Sequence, residues 1–397
     1  MRGRWPWRRT PLELPAWDAA DEPAAGMGAH TAGVSRLGAL PISPPWTWQR
    51  TPLELPDTPP GVGGTDPPCL VHLVRERNGL SWFRAFADAL RAHPPGVECE
   101  LVLAMKGFSS RAQAAPYLEE VADLAPKPIF FPDRGFDLDM DFEVAARLRR
   151  DRYCFINSHG RPLVDGWLAK LDAALAQPGV GQVGATGSWA SVHSWVMNTA
   201  GLPNAYRGLF PARQVLREQT MEIQREAASL GIGSDLNSAR STVSTTRLRL
   251  RSVPRVPREL FEFEPFPARH LRTNTFLISH AALRELRLFS VRNKMDIYVL
   301  ESGRQSITAQ LERIGLRSLV VDRAGAVYGP EQWYRSHTLW QGEQEGLLVA
   351  DNQTLCYTVG PFARRNLLST LAWGVSADPC PPPEDQQTVS ALVTGVR

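Results

Sequence analysis

Four places in this chain set charged or hydrogen-bonding side chains directly behind an apolar run. They are Arg75-Glu76-Arg77-Asn78, Lys106-Gly107-Phe108-Ser109, Asp133-Arg134-Gly135 and Asn157-Ser158-His159, the last followed closely by Arg161. Arg and Lys donate charge-assisted hydrogen bonds to phosphate oxygens, Arg in a two-pronged geometry, while Asn and Ser add neutral contacts. A solvated surface accounts for any one of these stretches alone. Four in succession point to a ligand that carries a diphosphate, with Arg75, Asn78, Lys106, Asp133, Arg134, Asn157, Ser158, His159 and Arg161 as its candidate contacts.

Carboxylates gather elsewhere. The stretch DRGFDLDMDFE holds Asp133, Asp137, Asp139, Asp141 and Glu143. Counted from Asp137 as a calcium loop, it puts Phe142 where the turn needs glycine and Leu148 where a bidentate Glu belongs, so an EF-hand is excluded. Asp141 and Glu143 are expected at a helix start, where the dipole favours acids. Histidines 72, 159, 193, 270, 280 and 337 show no H-x-x-x-H or H-E-x-x-H spacing, so no dedicated zinc site is expected. The segment KMDIYVLESGRQSITAQLERIGL places Asp296 and Glu301 before an expected helix carrying Arg304, where a carboxylate either caps the helix or acts as a general base.

These residues need elements to hold them. From Cys69 onward, short apolar runs alternate with stretches of helical spacing. Strands are expected at CLVHLV, ECELVLAM, Pro128–Phe131, Tyr153–Ile156 and Gly181–Ala185, with helices at Gly79–Ala92, Gln113–Leu124, Phe142–Arg150 and Val164–Ala176 between them. Repeated βα units of this kind predict an α/β fold with a mostly parallel central sheet covered by helices on both faces. In such sheets ligands bind outside the carboxyl ends of the strands, where the four stretches fall. Regular structure is expected again at HLRTNTFLIS, in a helix running to Leu288, in a helix over Gln305–Ile314 and in the strand LRSLVVD.

Residues 1–66 are crowded with Pro, Trp, Gly and Ala, show neither period, and are expected to be disordered. Within them WPWRRTPLELP (Trp5–Pro15) recurs as WTWQRTPLELP (Trp46–Pro56), a repeat that reads as a simple duplication or as a docking motif for a partner. Two copies are too few for a solenoid. Between about residues 206 and 258 the rhythm breaks, with a helix expected over Val215–Leu230, a Ser/Thr-rich run, and then RLRLRSVPRVPR. Its arginines, Arg247, Arg249, Arg251, Arg255 and Arg258, are expected either to guard an edge strand or to lean on an anionic membrane face or a phosphate-bearing acceptor. The tail from residue 366 is expected to be flexible.

The chain has 397 residues and a net charge of only +3, which names no nucleic-acid partner. No apolar run approaches the roughly 18 residues of a membrane span. Arg8-Arg9 lacks the apolar stretch that an export signal needs, and the five cysteines form no C-x-x-C pair, so a cytoplasmic protein with reduced thiols is expected.

The order strand, helix, strand, then RGFDLDMDF, then YCFINSHGRPLVDGWLAKLDAALAQPGVGQVGATG, resembles the nucleotide-sugar half of GT-A glycosyltransferases of family 2, especially the rhamnosyltransferase-like and rhamnan synthesis protein F groups, and their glycine-aspartate turn, matched by Gly135-Phe136-Asp137, implies Asp137 as a further donor contact. HLRTNTFLI resembles their acceptor-side strand, with Arg272 and Asn274, and ESGRQSITAQLERIGLR the segment that supplies their catalytic carboxylate, with Glu301, Asp296 in reserve, and Arg304. The resemblance covers roughly residues 69–322 and implies a nucleotide-sugar-binding half over 67–200 and an acceptor half over 201–365. It implies inverting transfer of a sugar, a deoxyhexose by analogy, from a nucleotide-sugar donor to a glycan or lipid-linked acceptor, at the inner face of a membrane, in cell-envelope polysaccharide synthesis. The alternative from another class is a non-catalytic nucleotide-sugar or glycan-binding domain.

Two departures shape the expected chemistry. Met105-Lys106-Gly107 stands where the family carries acids that meet the nucleoside, and Asn157-Ser158-His159 stands where it carries the D-x-D turn that binds a divalent metal. No cofactor is therefore expected and Mn2+ or Mg2+ is not favoured. The remaining metal reading makes His159 a lone ligand beside Asp133 or Asp137. The favoured one gives the metal's work to Arg75, Arg77, Lys106, Arg134 and Arg161.

Overall fold

The computed structural model describes residues 52–53, 66–133, 135–194, 259–289, 291 and 294–381. Arg134, the first copy of the repeat, the Val215–Leu230 stretch and the arginines from 247 to 258 lie outside them. In chain order the described elements are β1 (Pro52–Leu53), β2 (Cys69–Arg75), α1 (Leu80–Ala92), β3 (Glu100–Lys106), α2 (Arg111–Glu120), β4 (Lys127–Phe131), α3 (Asp137–Leu148), β5 (Arg152–Ile156), β6 (Arg161–Pro162), α4 (Trp167–Leu175), β7 (Val180–Gly184) and β8 (Gly187–Ser188). There follow α5 (Glu259–Glu262), β9 (His270–Leu271), β10 (Thr275–Ser279), α6 (His280–Arg284), β11 (Leu288–Phe289), α7 (Lys294–Ser302), α8 (Ile307–Arg313), β12 (Arg317–Val321), β13 (Val327–Tyr328), β14 (Val349–Ala350), α9 (Asn352–Thr358) and α10 (Phe362–Trp373).

Eight strands make one sheet in the order β13-β12-β7-β10-β5-β2-β3-β4. β2, β3, β4 and β5 run parallel, as do β7 and β12, whereas β10 is antiparallel to both of its neighbours. β2 and β3 are apolar almost without interruption because both faces of the sheet are covered. Their side chains alternate between two cores. Leu70 and Leu103 face Phe86, Trp167 and Leu171 on one side, and Val71 and Val102 face Phe142, Phe155 and Leu300 on the other.

This order decides where a ligand can sit. The chain steps outward from β2 to β3 to β4, then returns to place β5 on the opposite side of β2. The two crossovers leave a crevice outside the carboxyl ends of β2 and β5, the topological switch point of the sheet. Because β10 is antiparallel, with Thr275 opposite Ile156, its beginning lies on that same rim. The segment after residue 201 thus contributes β10 to the middle of the sheet formed by the segment before it.

Several boundaries differ from the sequence expectation. α3 begins at Asp137 and not at Phe142, because the Asp139 carboxylate accepts the Phe136 backbone N–H at 2.9 Å and closes the first turn early. Asp141 is consequently inside the helix and buried, where desolvation and the neighbouring Asp137 and Asp139 push its pKa well up. Asp296 and Glu301 do not precede a helix but belong to one, α7. The helix expected to reach Leu288 stops at Arg284, and Leu288–Phe289 pairs as a strand with Pro52–Leu53, inside the stretch expected to be disordered. The chain beyond residue 366 continues as α10. Trp373 at its end is buried beside Trp333 and donates its indole N–H to the Leu339 carbonyl at 2.7 Å, and Ser369 hydrogen-bonds Gln341. All five cysteines are unpaired thiols, with Cys69, Cys99 and Cys154 buried.

Candidate active site at the strand ends

The rim has two unlike halves. At the ends of β2, β3 and β4 the candidate groups bond mainly to one another. Arg75 Nη2 donates to Asp133 Oδ1 at 3.0 Å, and Lys106 Nζ donates to the Gly135 carbonyl at 2.6 Å. Burial tends to raise the Asp133 carboxyl, but Arg75 outweighs it and holds the group below the usual range. Burial, reinforced by Arg75, pushes the Lys106 ammonium down. Gly107 has φ +83°, and a Cβ there would stand 3.2 Å from that of Asp133, so the turn after β3 needs glycine. Asp137 is exposed in the first turn of α3.

At the switch point a small hollow is lined by His72, Arg75, Asn78, Trp82, Phe83 and Ser158. His72 stacks flat on Phe86 with ring centroids 3.6 Å apart, hydrogen-bonds the Ile156 backbone and leaves Nδ1 without a partner. Burial, with repulsion from His159, drives its pKa down to about 3, so the ring is neutral. The turn after β5 is tightly specified. Asn157 Oδ1 accepts the His159 backbone N–H at 3.0 Å, Ser158 Oγ lies between Asn78 Nδ2 at 2.8 Å and His159 Nδ1 at 3.2 Å, and the His159 ring meets Trp82 edge-on. A Cβ on Gly160 would come within 2.4 Å of Ile156, which excludes any side chain there.

Asn157 Oδ1 accepts within the turn, Ser158 Oγ accepts from Asn78 behind β2, the Asp133 carboxylate is engaged by Arg75, and no cluster of three His, Cys, Asp or Glu that could hold a metal occurs among the described residues.

The other half surrounds the ends of β5 and β7 and the start of β10. Glu301, in the last turn of α7, accepts both the backbone N–H and the hydroxyl of Thr273 at Oε1, at 2.8 and 3.0 Å. Its Oε2 bonds to nothing among the described residues. Arg272 is buried and donates through Nη2 to Asp351 Oδ2 at 3.0 Å, while Nη1 has no partner. Asn274 receives the Thr186 hydroxyl at Oδ1 at 2.7 Å, while Nδ2 has no partner. Arg161, directly opposite Ala350 in the β6–β14 pair and therefore next to Asp351, has an Nε without a partner and a pKa lowered by burial. Three donors stand here without an acceptor, each costing roughly 1–3 kcal/mol when left dry. An anion would satisfy all three.

Not all predicted residues converge. Asp296 is buried in the first turn of α7, about 7.5 Å along the helix from Glu301 at 1.5 Å per residue. Arg304 pairs with Glu264 on an exposed surface. Four site groups escaped the sequence reading. Thr273 orients Glu301. His270, kept neutral by burial against the pull of Glu301, donates from Nδ1 to the Ala268 carbonyl 2.7 Å away. Trp82 backs His159. Asp351, wholly buried, would be raised by desolvation, but Arg272 and Thr354 hold it below the ordinary range. Its sequence context, Asp351 followed by Thr354, signals a helix cap, which it also is.

No family model matches the chain, and no curated sequence does. Solved structures that it is similar to include a mannosyltransferase from Pyrobaculum calidifontis in complex with GDP-Man and Mn2+, at 18% identity, TM-score 0.25, over 30% of this chain and 36% of that one. Another is glucosyl-3-phosphoglycerate synthase from Mycobacterium tuberculosis with Mn2+, UDP and glucosyl-3-phosphoglycerate, at 14% identity and TM-score 0.31 over 67% and 75%. A third is the galactosyltransferase LgtC in complex with donor and acceptor sugar analogs, at 10% identity and TM-score 0.30 over 64% and 73%. The chain thus spans little more than a third of the first of these. At such values the site must be interpreted from its own residues.

Proposed function

We propose that this chain is a GT-A-like, nucleotide-sugar-dependent glycosyltransferase acting with inversion. The observation that carries the proposal is the meeting, around β5, β10 and β7, of a carboxylate held by one oxygen with three donors that lack acceptors. Glu301 Oε2 takes the proton of an acceptor hydroxyl as that oxygen attacks the anomeric carbon. The bond from that carbon to the diphosphate breaks, and its electron pair leaves on the phosphate oxygen. Arg161, Arg272 and Asn274 donate to the charge that grows there. The Asn157-Ser158-His159 turn and Trp82 bound the donor at the switch point. A deoxyhexose donor and a glycan or lipid-linked acceptor are the finer form of this proposal, with contact to an anionic membrane face through the arginines from 247 to 258. Among the described residues no helix is long and apolar enough to cross a membrane.

The test is a thermal-shift and turnover panel of nucleotide-sugars, each with and without Mn2+ or Mg2+. A donor that raises Tm without metal, is turned over by the wild type, and is bound but not turned over by Glu301→Gln supports the proposal. Binding with no turnover under any condition would reassign the chain as a nucleotide-sugar-binding module. Stabilisation only in the presence of metal would overturn the role given to the guanidinium groups.

A further inference from the structure

We infer that the edge of β11 is a docking site for the sequence R-T-P-L-E-L-P, and that the two copies of this motif in the chain are interchangeable occupants of it. Two residues of the second copy, Pro52 and Leu53, are seen on that edge. Pro52 pairs with Phe289 and Leu53 with Leu288, antiparallel. Pro52 has no N–H to give, so the hydrogen-bonded pair must be Leu53 with Leu288, which exchange N–H and C=O. The motif is otherwise suited to short pairing. Prolines at 52 and 56 bracket Leu53-Glu54-Leu55, so no more than three consecutive residues can donate and the added strand cannot lengthen.

Arg9 to Pro15 repeats Arg50 to Pro56 without a single change, and the match extends to the tryptophans upstream. Recognition through backbone pairing with an identical sequence cannot distinguish the copies; only their tethers differ. Leu53 lies 13 residues before Asp66 and Leu12 lies 54 before it. Effective concentration falls with about the −3/2 power of tether length, so the nearer copy is favoured roughly tenfold and the farther one is its reserve. The edge is also joined to the donor rim. Val291, two residues beyond Phe289, donates its N–H to Asp139 Oδ1 at 2.9 Å, and the other oxygen of Asp139 fixes the start of α3.

Hydrogen exchange at the Leu288 amide in the full-length chain tests this without disturbing the fold. The variants are Leu12→Pro, Leu53→Pro and the double variant; each proline removes the N–H that one copy gives to the Leu288 carbonyl and stiffens the backbone there, so that the pairing as a whole, and with it the protection of the Leu288 amide, is lost for that copy. Wild type and both single variants should protect the amide within about tenfold of one another, as the tether argument requires. The double variant should lose at least another tenfold, and adding a synthetic peptide of residues 8–16 should restore it. Equal exposure in Leu53→Pro and the double variant would show that the first copy is no occupant. Unchanged protection in the double variant would show that the motif does not dock. Protection in Leu53→Pro that vanishes on dilution would place the first copy on a second chain and overturn the arrangement within one molecule.

Discussion

The two halves of the rim are built from the same residue types and differ in how much of their hydrogen-bonding capacity is already used. Around β2, β3 and β4, Arg75 gives Nη2 to Asp133 and keeps only Nε without a partner, and Lys106 donates to a backbone carbonyl. Around β5, β10 and β7, Arg161, Arg272 and Asn274 each keep a nitrogen without a partner, and Glu301 keeps an oxygen. The first half spends most of its charge on itself, Arg75 on a carboxylate of the same rim, and shapes the turns. The second holds its donors in place with Asp351 and Thr186 and leaves the rest of their capacity to a ligand. A cationic residue at a strand end is therefore a poor guide to binding until its partners are known.

This contrast can be broken in several ways. The largest effect should come from Glu301→Gln, which keeps the Thr273 contacts but cannot accept a proton. Transfer should fall by roughly 10^3-fold with donor affinity within about threefold, read as kcat against donor-induced Tm shift. Next is Arg272→Met, which strands the wholly buried Asp351 carboxylate and should cost roughly 3–5 kcal/mol in denaturant unfolding. A second change, Asp351→Asn, should recover part of that loss.

His72 sharpens the picture through pH. Its folded pKa of about 3 lies below the ordinary 6.5, so the native state binds fewer protons than the unfolded one. Its contribution is complete above about pH 6.5 and is lost as pH falls towards 3, at up to about 1.4 kcal/mol per unit. His72→Phe should flatten unfolding free energy against pH in that window. The smallest effect belongs to the exposed Arg75–Asp133 pair, where Asp133→Asn should shift stability by less than about 1 kcal/mol.

Much of the fold was legible in the sequence, because strands buried on both faces are continuous apolar runs and the helices between them repeat at their own period. CLVHLV and YCFINSHG each announce a strand and the turn behind it. What the sequence hid was pairing at a distance. Nothing local says that Asp133 will neutralise Arg75, 58 residues away, or that Asp351 will anchor Arg272. Thr273 reads as an ordinary residue at a strand start until β10 turns antiparallel and α7 brings Glu301 onto it. The early start of α3 is hidden for a related reason: the spacing of the acidic run resembles a metal loop, whereas Asp139 is the side chain that closes the first turn. In the tail, the Pro-rich end at residue 380 masks a helical face on which Leu368, Ala372 and Trp373 are buried.

The difference between the halves can be measured directly by titrating inorganic pyrophosphate into Arg161→Met and Arg75→Met, with wild type alongside, and following Tm without added metal. The account predicts stabilisation of wild type, near-wild-type stabilisation of Arg75→Met, and loss of roughly tenfold or more in affinity in Arg161→Met, as expected for a charge-assisted hydrogen bond. Loss in Arg75→Met with Arg161→Met unaffected would put the anion on the other half of the rim and contradict the account.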